Sequence, residues 1–243
     1  MKGKTALVTG GSRGIGAAIA LELGANGANV VINYNHSREH ADRVVEQITA
    51  AGGKAVAVQA DIAESEPTRK LVEETIRHFG TIDILVNNAG ITRDRSFKKL
   101  SEQEWHQVID TNLSSAFNTC TVAIHKMSEQ KYGRIINISS IVGQTGAFGQ
   151  TNYAAAKAGL IGFTKALALE TARSGITVNA ICPGYIATEM VKSMPEDVLA
   201  SVVTKIPVQR LGTPKEIAEA VVFICNASYM TGQCINLNGG LYM

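Results

Sequence analysis

The stretch that decides the fold is Thr5-Ala6-Leu7-Val8-Thr9-Gly10-Gly11-Ser12-Arg13-Gly14-Ile15-Gly16, an apolar run that passes through a glycine-rich turn into a helical pattern. Glycines at such a junction permit a tight turn and bring backbone N–H groups and a helix N-terminus against a pyrophosphate. The spacing Gly10-x3-Gly14-x-Gly16 is wider than the GxGxxG pattern of dinucleotide sites, and glycines also suit any sharp strand-to-helix turn. The position directly after an amino-terminal strand favours nucleotide binding.

Strand-like and helix-like segments alternate along the rest of the chain. We predict strands at Thr5–Thr9, Asn29–Asn33, Lys54–Gln59, Ile84–Asn87, Gly133–Ile138, Thr177–Ile181 and Gln233–Leu237. Helical patterns lie between them, at residues 14–26, 38–51, 65–79, 101–128, 151–173 and 214–226. Strands separated by helices predict an α/β fold with a parallel sheet and helices on both faces. No linker or repeat divides the chain, so we predict a single domain over residues 1–243.

Composition places the chain among soluble globular proteins, with 45% hydrophobic and 18% charged residues. The net charge of +2 and the absence of a basic tract argue against nucleic-acid binding. The apolar runs are too short to span a bilayer, so no membrane association is expected. The start, Met1 to Lys4, shows no signal-peptide pattern, and we expect a cytoplasmic location. Four scattered cysteines, without a CxxC pair, are predicted to be reduced core thiols.

One segment, at about residues 186–212, interrupts the alternation. It contains Met190, Met194, Pro195 and Pro207, and it follows the point at which the sheet is nearly complete. Insertions of this kind often close over a site. We therefore expect a lid over a substrate.

The end of the second strand indicates which nucleotide is bound. Sites for NAD usually carry Asp or Glu there for the ribose 2′-hydroxyl, whereas residues 32–38 contain no carboxylate before Glu39. Arg13 and Arg38 could pair with a 2′-phosphate, although either could instead face solvent. The sequence therefore predicts NADPH (NADP) over NADH.

Polar and small residues follow three further strands, at the carboxyl edge where ligands collect in such sheets. They are Asp61-Ile62, Asn87-Asn88-Ala89-Gly90 and Cys182-Pro183-Gly184-Tyr185-Ile186. An acid after the third strand can bond an adenine edge, and small residues after the fourth let the strand end approach a ribose. Asn-Asn-Ala-Gly also suits an ordinary strand-ending turn.

A possible proton donor lies in the second half of the chain, where Ser139-Ser140 precede Tyr153-Ala-Ala-Ala-Lys157. Residues four apart on a helix share one face. The ammonium of Lys157 would favour the phenolate of Tyr153 and bring a pKa of about 10 closer to neutrality. A carbonyl reduction needs such a donor, because hydride reaches carbon while a proton reaches oxygen. The spacing alone also fits a surface pair.

The motifs in order resemble the short-chain dehydrogenase/reductase family over the full chain. They are Thr-Gly-x3-Gly-x-Gly (9–16), Asn-Asn-Ala-Gly (87–90), Asn112 in Asp-Thr-Asn-Leu, Ser140, Tyr-x3-Lys (153–157) and Pro-Gly (183–184). The resemblance implies a Rossmann-like, doubly wound fold with a seven-stranded parallel sheet, and usually a homotetramer. An apolar helix face would fit a subunit interface or a monomer interior; its residues are Leu160, Phe163, Ala166 and Leu167.

The resemblance also implies a catalytic tetrad of Asn112, Ser140, Tyr153 and Lys157. Tyr153 would donate the proton, and Ser140 would bond the substrate oxygen as negative charge develops. Lys157 would hold the nicotinamide ribose, and Asn112 would support Lys157 through a water. The expected cofactor-binding residues are Gly10, Ser12, Arg13, Gly14, Ile15, Gly16, Asn35, Arg38, Asp61, Ile62, Asn88, Ala89, Gly90, Tyr153, Lys157, Pro183, Gly184 and Ile186.

Within the family the chain is most similar to 3-oxoacyl thioester reductases, through stretches 90–94, 149–153, 183–191 and 238–243. Two branches compete: acetoacetyl-CoA reductases of polyhydroxyalkanoate synthesis and 3-oxoacyl-acyl carrier protein reductases of fatty-acid synthesis. The first branch implies reduction of acetoacetyl-CoA to (3R)-3-hydroxybutyryl-CoA with NADPH. The acyl pocket would contain Asp94, Ala147, Phe148, Gln150 and Tyr185, with Ala147 standing where a polar Gln is expected.

Other functions stay open at this point. A carrier-protein reductase needs a basic patch for its acidic partner, which could be formed by Arg93, Arg95, Lys98, Lys99 and Lys131. The same charges could meet the phosphates of coenzyme A or be solvated. A catalytically silent nucleotide sensor has no need of the proton donor, so the complete tetrad argues against it. No metal site is expected, because the pair His36 and His40 lies in a polar, exposed stretch.

Overall fold

Seven parallel strands form one sheet in the computed structural model, which describes residues 1–192 and 195–243. The strands are β1 (Thr5–Val8), β2 (Asn29–Tyr34), β3 (Lys54–Gln59), β4 (Ile84–Asn87), β5 (Gly133–Ile138), β6 (Ile176–Pro183) and β7 (Cys234–Leu237). Their order across the sheet is β3-β2-β1-β4-β5-β6-β7. The chain thus winds outward in both directions from the centre, and the carboxyl ends of β1 and β4 form the switch point where such folds bind ligands.

Helices cover both faces of the sheet. They are α1 (Gly14–Ala25), α2 (Arg38–Ala50), α3 (Ser65–Phe79), α4 (Glu102–Ile109), α5 (Ser115–Glu129), α6 (Val142–Thr145), α7 (Thr151–Thr171), α8 (Glu189–Lys192), α9 (Glu196–Lys205) and α10 (Pro214–Asn226). The predicted doubly wound fold with seven parallel strands is confirmed.

Two buried apolar layers hold the sheet to its helices. Alternate strand residues point to opposite faces, so Ala6 and Val8 pack in the layer beneath α1, α2 and α10. Leu7 packs in the other layer, with residues of α3, α5 and α7. In register, Leu7 lies opposite Val31 of β2 and Leu85 of β4. The centre of the sheet is therefore apolar on both faces, as parallel sheets require.

The predicted helix over residues 101–128 is divided in the structure. A capping box between Ser101 and Glu104 starts α4, and a wider π-helical turn, Asp110–Ser114, separates α4 from α5. This turn contains Asn112. A π-turn carries one residue more than a regular turn and occurs mostly at functional sites.

The segment at residues 186–212 contains two short helices, α8 and α9. A single bridge pairs Ile186 with Gly212 at the base of the segment. Met194, one of the residues that suggested a lid, lies outside the described residues. Among the residues described, no helix combines the length and apolar character that crossing a membrane requires.

Candidate active site

Three of the four tetrad residues meet at the carboxyl end of β5. Ser140 follows this strand, and its hydroxyl accepts a hydrogen bond from the N–H of Val142 at 3.1 Å. Tyr153 and Lys157 lie in the first two turns of α7, and the Ser140 hydroxyl is close enough to the Tyr153 hydroxyl to act on its pKa. The Lys157 Nζ atom lies 5.6 Å from the centroid of the Tyr153 ring. A hydroxyl, a phenol and an ammonium group thus face one small volume.

Asn112 approaches the same volume from the π-turn. Its Oδ1 accepts from the N–H of Ile91 at 2.7 Å, and its Nδ2 donates to the carbonyl of Ile91 at 2.8 Å. A Cβ atom added at Gly90 would lie 3.0 Å from Asn112 Oδ1 and 3.6 Å from Lys157 Nζ. Glycine at this position therefore lets Asn112 and Lys157 approach each other. The predicted water between the two side chains stays a prediction.

Lys157 is buried together with its charge. The side chain is only 3% exposed, and Nζ donates to the carbonyl of Ile138 at 2.8 Å. Burial lowers the pKa of Lys157 to about 8, because the charged form loses its hydration. At pH 7 the group is still mostly protonated, so a positive charge remains beside Tyr153.

The phenol of Tyr153 differs from the sequence-based prediction. Burial raises its pKa above the ordinary value; the nearby Ser140 hydroxyl opposes this shift, and the negative charge of Asp94 adds to it. The prediction that Lys157 brings the pKa of Tyr153 towards neutrality is thus not met in the protein alone, because burial has the larger effect. Tyr153 is therefore neutral at pH 7 and able to donate its proton.

The glycine loop has the shape that a pyrophosphate requires. Gly10 and Gly14 adopt left-handed φ angles of 59° and 56°, which favour glycine. A Cβ atom at Gly16 would lie 2.3 Å from the carbonyl oxygen of Gly10, so only glycine fits there. In the part of the chain that the structure describes, no side chain caps the N-terminus of α1. Its N–H groups are therefore directed at the space above the loop, where they fit the phosphates of a nucleotide.

Side chains at the ends of three strands hold this loop in place. Thr9 Oγ1 accepts from the N–H groups of Asn88 and Ala89 at 3.0 and 3.1 Å. The Asn88 amide donates back to the carbonyls of Thr9 and Gly10. Asn33 Oδ1 accepts from the N–H of Gly10 at 3.2 Å. The turn-fixing role of Asn88 was expected, whereas sequence reasoning missed the roles of Thr9 and Asn33. The signal available for those two was a polar residue at the end of an apolar strand.

The residues expected to bind a 2′-phosphate lie on the surface near the end of β2. Arg38 is the first residue of α2 and forms an exposed ion pair with Asp42 at 3.4 Å. Arg13 is exposed at the start of α1, and its neighbours Ser12 and Ile15 are buried and half-buried. Asn35 accepts a hydrogen bond from Gln59 through its backbone carbonyl. The guanidinium groups are accessible to an anion.

The remaining expected cofactor residues line the same edge. Asp61 Oδ1 accepts from the N–H of Ala63 at 3.0 Å, and the next residue, Ile62, is buried. Pro183 ends β6, and the N–H of Gly184 donates to Leu237 at 2.9 Å. Ile186 is buried. Close to it, Thr188 packs over Gly14, 3.5 Å from the position of a Cβ atom there.

The expected acyl-pocket residues separate into two groups. Gln150 donates to the carboxylate of Asp94 at 2.8 Å, and Asp94 acts on the pKa of Tyr153. Ala147 and Phe148 lie on the loop before Gln150 and are exposed, Phe148 to 95%. Tyr185 instead lines a cavity of about 230 Å³ between residues 206–212 and the carboxyl-terminal residues.

Asn152, which sequence reasoning also missed, connects these segments to the tetrad. Its amide donates to the carbonyls of Arg93 and Glu104, at 3.3 and 3.4 Å, and its Oδ1 accepts from the N–H of Tyr153 at 2.8 Å. The side chain is fully buried. It therefore fixes the loop of Asp94 relative to Tyr153.

Comparison with known proteins agrees with this geometry. A family model described as short chain dehydrogenase matches residues 4–199. The chain belongs to the short-chain dehydrogenase family.

Members of the short-chain dehydrogenase family with known names are similar over nearly the whole chain. The 3-oxoacyl-[acyl-carrier-protein] reductase FabG of Staphylococcus aureus is 48% identical over 242 residues, which cover 99% of this chain and 98% of that protein. The 3-oxoacyl-[acyl-carrier-protein] reductase of Synechocystis is 48% identical over 244 residues, covering 99% and 97%. The acetoacetyl-CoA reductase of Cupriavidus necator is 45% identical over 245 residues, covering all of both chains. The predicted family resemblance is confirmed.

The five basic residues suggested as one patch do not share one side of this short-chain dehydrogenase. Arg93, Arg95, Lys98 and Lys99 are exposed on the segment that carries Asp94. Lys131 lies in the turn before β5, at the amino edge of the sheet. The basic segment 93–99 therefore lies beside the active site, and Lys131 lies away from it.

The residues predicted to form one apolar face of α7 lie in two different environments. Leu160 is 1% exposed and belongs to the interior. Phe163, Ala166 and Leu167 line a surface groove of about 220 Å³ together with Phe117 of α5. Phe117 is 62% exposed. The outer face of α5 and α7 thus carries apolar side chains in contact with solvent.

Proposed function

We propose that this short-chain dehydrogenase is an NADPH-dependent 3-oxoacyl thioester reductase that converts acetoacetyl-CoA into (3R)-3-hydroxybutyryl-CoA. The observation that supports it most is the grouping of Ser140, Tyr153 and Lys157 beside the glycine loop. The identity to the acetoacetyl-CoA reductase of Cupriavidus necator supports the acyl group and the carrier.

The cofactor would be held at the carboxyl edge of the sheet. The loop from Gly10 to Gly16 and the N-terminus of α1 would bind its phosphates, and Arg13 and Arg38 would bind a 2′-phosphate. When bound, NADPH supplies a hydride to the carbonyl carbon of the substrate. The side chain of Lys157 would hold the ribose beside the nicotinamide.

The tetrad would handle the charge and the proton at the substrate oxygen. Tyr153, neutral at pH 7, donates its hydroxyl proton to that oxygen. Ser140 donates a hydrogen bond to the same oxygen while negative charge develops on it. The ammonium of Lys157 stabilises the phenolate that is left on Tyr153. Asn112 holds the backbone of Ile91, and thereby the floor formed by Gly90.

A second candidate is the reduction of a 3-oxoacyl group attached to acyl carrier protein. Two specific observations favour it. The reductases of Staphylococcus aureus and Synechocystis, both named for the carrier-protein substrate, are 48% identical to this chain. The exposed basic segment 93–99 lies beside the active site and would complement an acidic carrier.

We also propose that the protein forms a homotetramer. The apolar groove formed by Phe117, Phe163 and Leu167 is of the kind that subunits cover. Light scattering behind a sizing column measures the mass directly. A monomer at micromolar concentration would contradict the tetramer and leave the reductase proposal intact.

The experiment that tests the substrate follows NADPH absorbance with acetoacetyl-CoA, acetoacetyl carrier protein and a longer 3-oxoacyl-CoA, with NADH as the cofactor control. We expect the highest kcat/KM with acetoacetyl-CoA and NADPH. A preference for the carrier-bound substrate would select the second candidate with the mechanism unchanged. No turnover of the three thioesters would contradict both.

Two pairs of variants sharpen the result. Lys98→Ala with Lys99→Ala should raise KM for a carrier-protein substrate more than for the CoA thioester, and Lys131→Ala at the opposite edge is the matched control. Arg13→Ala with Arg38→Ala should raise KM for NADPH and leave that for NADH unchanged. Equal changes for both nucleotides would contradict the 2′-phosphate site.

A further inference from the structure

Two cysteines lie almost in bonding distance directly behind the active site. The Sγ atoms of Cys182 and Cys234 are 3.0 Å apart, compared with about 2.05 Å in a disulfide. Both thiols are reduced. Cys182 is buried in β6, whereas Cys234 begins the edge strand β7 and is partly exposed. We propose that this pair is a reversible oxidation site, and that its disulfide switches the reductase off.

The position of the pair connects it to catalysis through the backbone. The N–H of Ser139 donates to the carbonyl of Ile181 at 2.7 Å, and the N–H of Ile141 donates to Pro183 at 2.9 Å. These bonds join the two neighbours of Ser140 to residues on either side of Cys182. The hydroxyl of Ser139 also donates to the backbone carbonyl of Lys157 at 2.8 Å. A shift of β6 at Cys182 is therefore transmitted to Ser140.

The register of the strands makes such a shift necessary. Cys234 pairs with Ala180 and Cys182 with Asn236, so the cysteines lie diagonally on one face of the sheet. Diagonal neighbours have Cα atoms about 7–8 Å apart. Disulfides usually span less than about 7 Å between Cα atoms, and a longer span requires backbone movement. The sulfur atoms must approach by about 1 Å, which strains the present pairing of β6 with β7.

The same geometry makes the bond reversible. A disulfide formed under strain is more easily reduced than a relaxed one and is typical of regulatory pairs. β7 has a neighbour on one side only, so it can move without disrupting a second strand. Strain therefore favours a switch over a permanent crosslink.

Cys234 is the thiol that would react first. Its pKa is lowered to about 7, mainly by the hydrogen bond with Cys182, with the charge of Lys165 adding to the effect. Gln144 donates a hydrogen bond to the same sulfur at 3.6 Å. The pKa of Cys182 is raised by the same hydrogen bond and by burial, so this group keeps its proton. A thiolate on the exposed side thus faces a thiol on the buried side.

The oxidant in the proposal is a hydroperoxide. The Cys234 thiolate attacks the O–O bond, which breaks to give a sulfenic acid on Cys234 and an alcohol, or water from hydrogen peroxide. The Cys182 sulfur then attacks the sulfenic sulfur, its proton leaves with the hydroxyl group as water, and the S–S bond forms. Two sulfurs lose two electrons in total, which the O–O bond takes up. A dithiol reverses the step by thiol–disulfide exchange.

The test treats the purified protein with hydrogen peroxide and measures thiols, crosslink and rate. We expect loss of two of the four thiols, and a peptide pair linked through Cys182 and Cys234 in the non-reduced digest. The rate should fall by about 10- to 100-fold, since displacements of about 1 Å at an active site have effects of that size. Dithiothreitol should restore both the thiols and the rate.

Two variants distinguish oxidation of the pair Cys182 and Cys234 from oxidation elsewhere in the protein. Cys234→Ser should keep its rate and resist peroxide, while the matched control Cys225→Ala, which removes a buried thiol of α10, should lose activity as the wild type does. Four free thiols after treatment, a linked pair with full activity, or equal inactivation of Cys234→Ser would each overturn the proposal. The thiol count and the linked peptide need no substrate, so they remain informative if the proposed thioesters are not reduced.

Discussion

Replacing Lys157 by methionine should make the unliganded protein more stable and at the same time inactive. The ammonium of Lys157 is buried, and its pKa is lowered from 10.5 to about 8. The difference of about 2.5 pKa units corresponds to about 3 kcal/mol of destabilisation by the charged form, at 1.36 kcal/mol per unit. Methionine has a similar length and no charge, so it removes this penalty.

A hydrogen bond that methionine cannot donate reduces the gain. Lys157 Nζ donates to the carbonyl of Ile138 at 2.8 Å, and this carbonyl would have no partner in the variant. Leaving a buried carbonyl unpaired costs about 1 kcal/mol or somewhat more. The net stabilisation is then about 2 kcal/mol, which raises the melting temperature of a chain of this size by about 4–8 °C.

The dependence on pH distinguishes this cause from improved packing. The pKa of Lys157 is lower in the folded protein than in the unfolded chain, so the unfolded chain binds more protons between pH 8 and 10.5. The stability of the wild type therefore rises with pH across this window. The variant lacks the group, so its advantage should be full below pH 8, vanish within this window and become a deficit of about 1 kcal/mol above pH 10.5, where the neutral amine of the wild type still donates to the Ile138 carbonyl.

Calorimetry without nucleotide, at equal protein concentrations and at several pH values, measures both effects. Lys165→Met is the control, because Lys165 is an exposed lysine on the same helix. Its melting temperature should change little, since exposed substitutions stay within about 0.5 kcal/mol. A Lys157→Met protein less stable than the wild type at pH 7, or a gain that is constant with pH, would refute the reasoning.

Three other substitutions test separate parts of the structure. Tyr153→Phe should lower kcat by at least about 100-fold and leave the Kd for NADPH unchanged in a fluorescence titration, and full turnover would remove Tyr153 as the proton donor. Gly16→Ala places a Cβ atom 2.3 Å from the Gly10 oxygen. Strain of this kind should cost about 1–3 kcal/mol and weaken NADPH binding; wild-type values in both unfolding and titration would contradict the loop geometry. Glu216→Ala removes the capping box of α10, so urea unfolding at pH 7 should show a loss of about 1 kcal/mol. The pKa of Glu216 is lowered to about 2. The difference from the wild type should therefore decrease as the pH falls from 4.5 towards 2, and a constant difference would argue against the charge.

The strands could be predicted from the sequence because their signal is local. Runs of β-branched and apolar residues mark all seven strands, and the structure changes only their ends. β1 stops at Val8, since the hydroxyl of Thr9 bonds the turn at Asn88. β6 continues to Pro183, where Gly184 bonds Leu237. Pairing with a neighbouring strand thus decides the residue at which each strand ends. The local sequence pattern carries no information about that pairing.

The parts of the candidate site that could be predicted are those whose residues lie close together in the sequence at a characteristic spacing. The glycine loop and Tyr153-x3-Lys157 have such spacing. Asn33, Asn152 and the pair Cys182 and Cys234 act across long sequence separations, and nothing near them in the chain indicates their partners. The sign of the Tyr153 pKa shift was missed for a related reason, because burial depends on the whole fold.

The π-turn at Asp110–Ser114 has a consequence for insertions and deletions in this chain. Each residue of an α-helix turns the chain by about 100°, so the one extra residue in the turn sets the rotation of α4 against α5. Deleting a single residue within Asp110–Ser114 would let the two helices merge into one regular helix. Asn112 would then no longer meet Ile91, and every side chain of α4 would face a new direction. Among length variants of this protein, this turn should be the place where a one-residue change is least tolerated, although neither α4 nor α5 contains Tyr153.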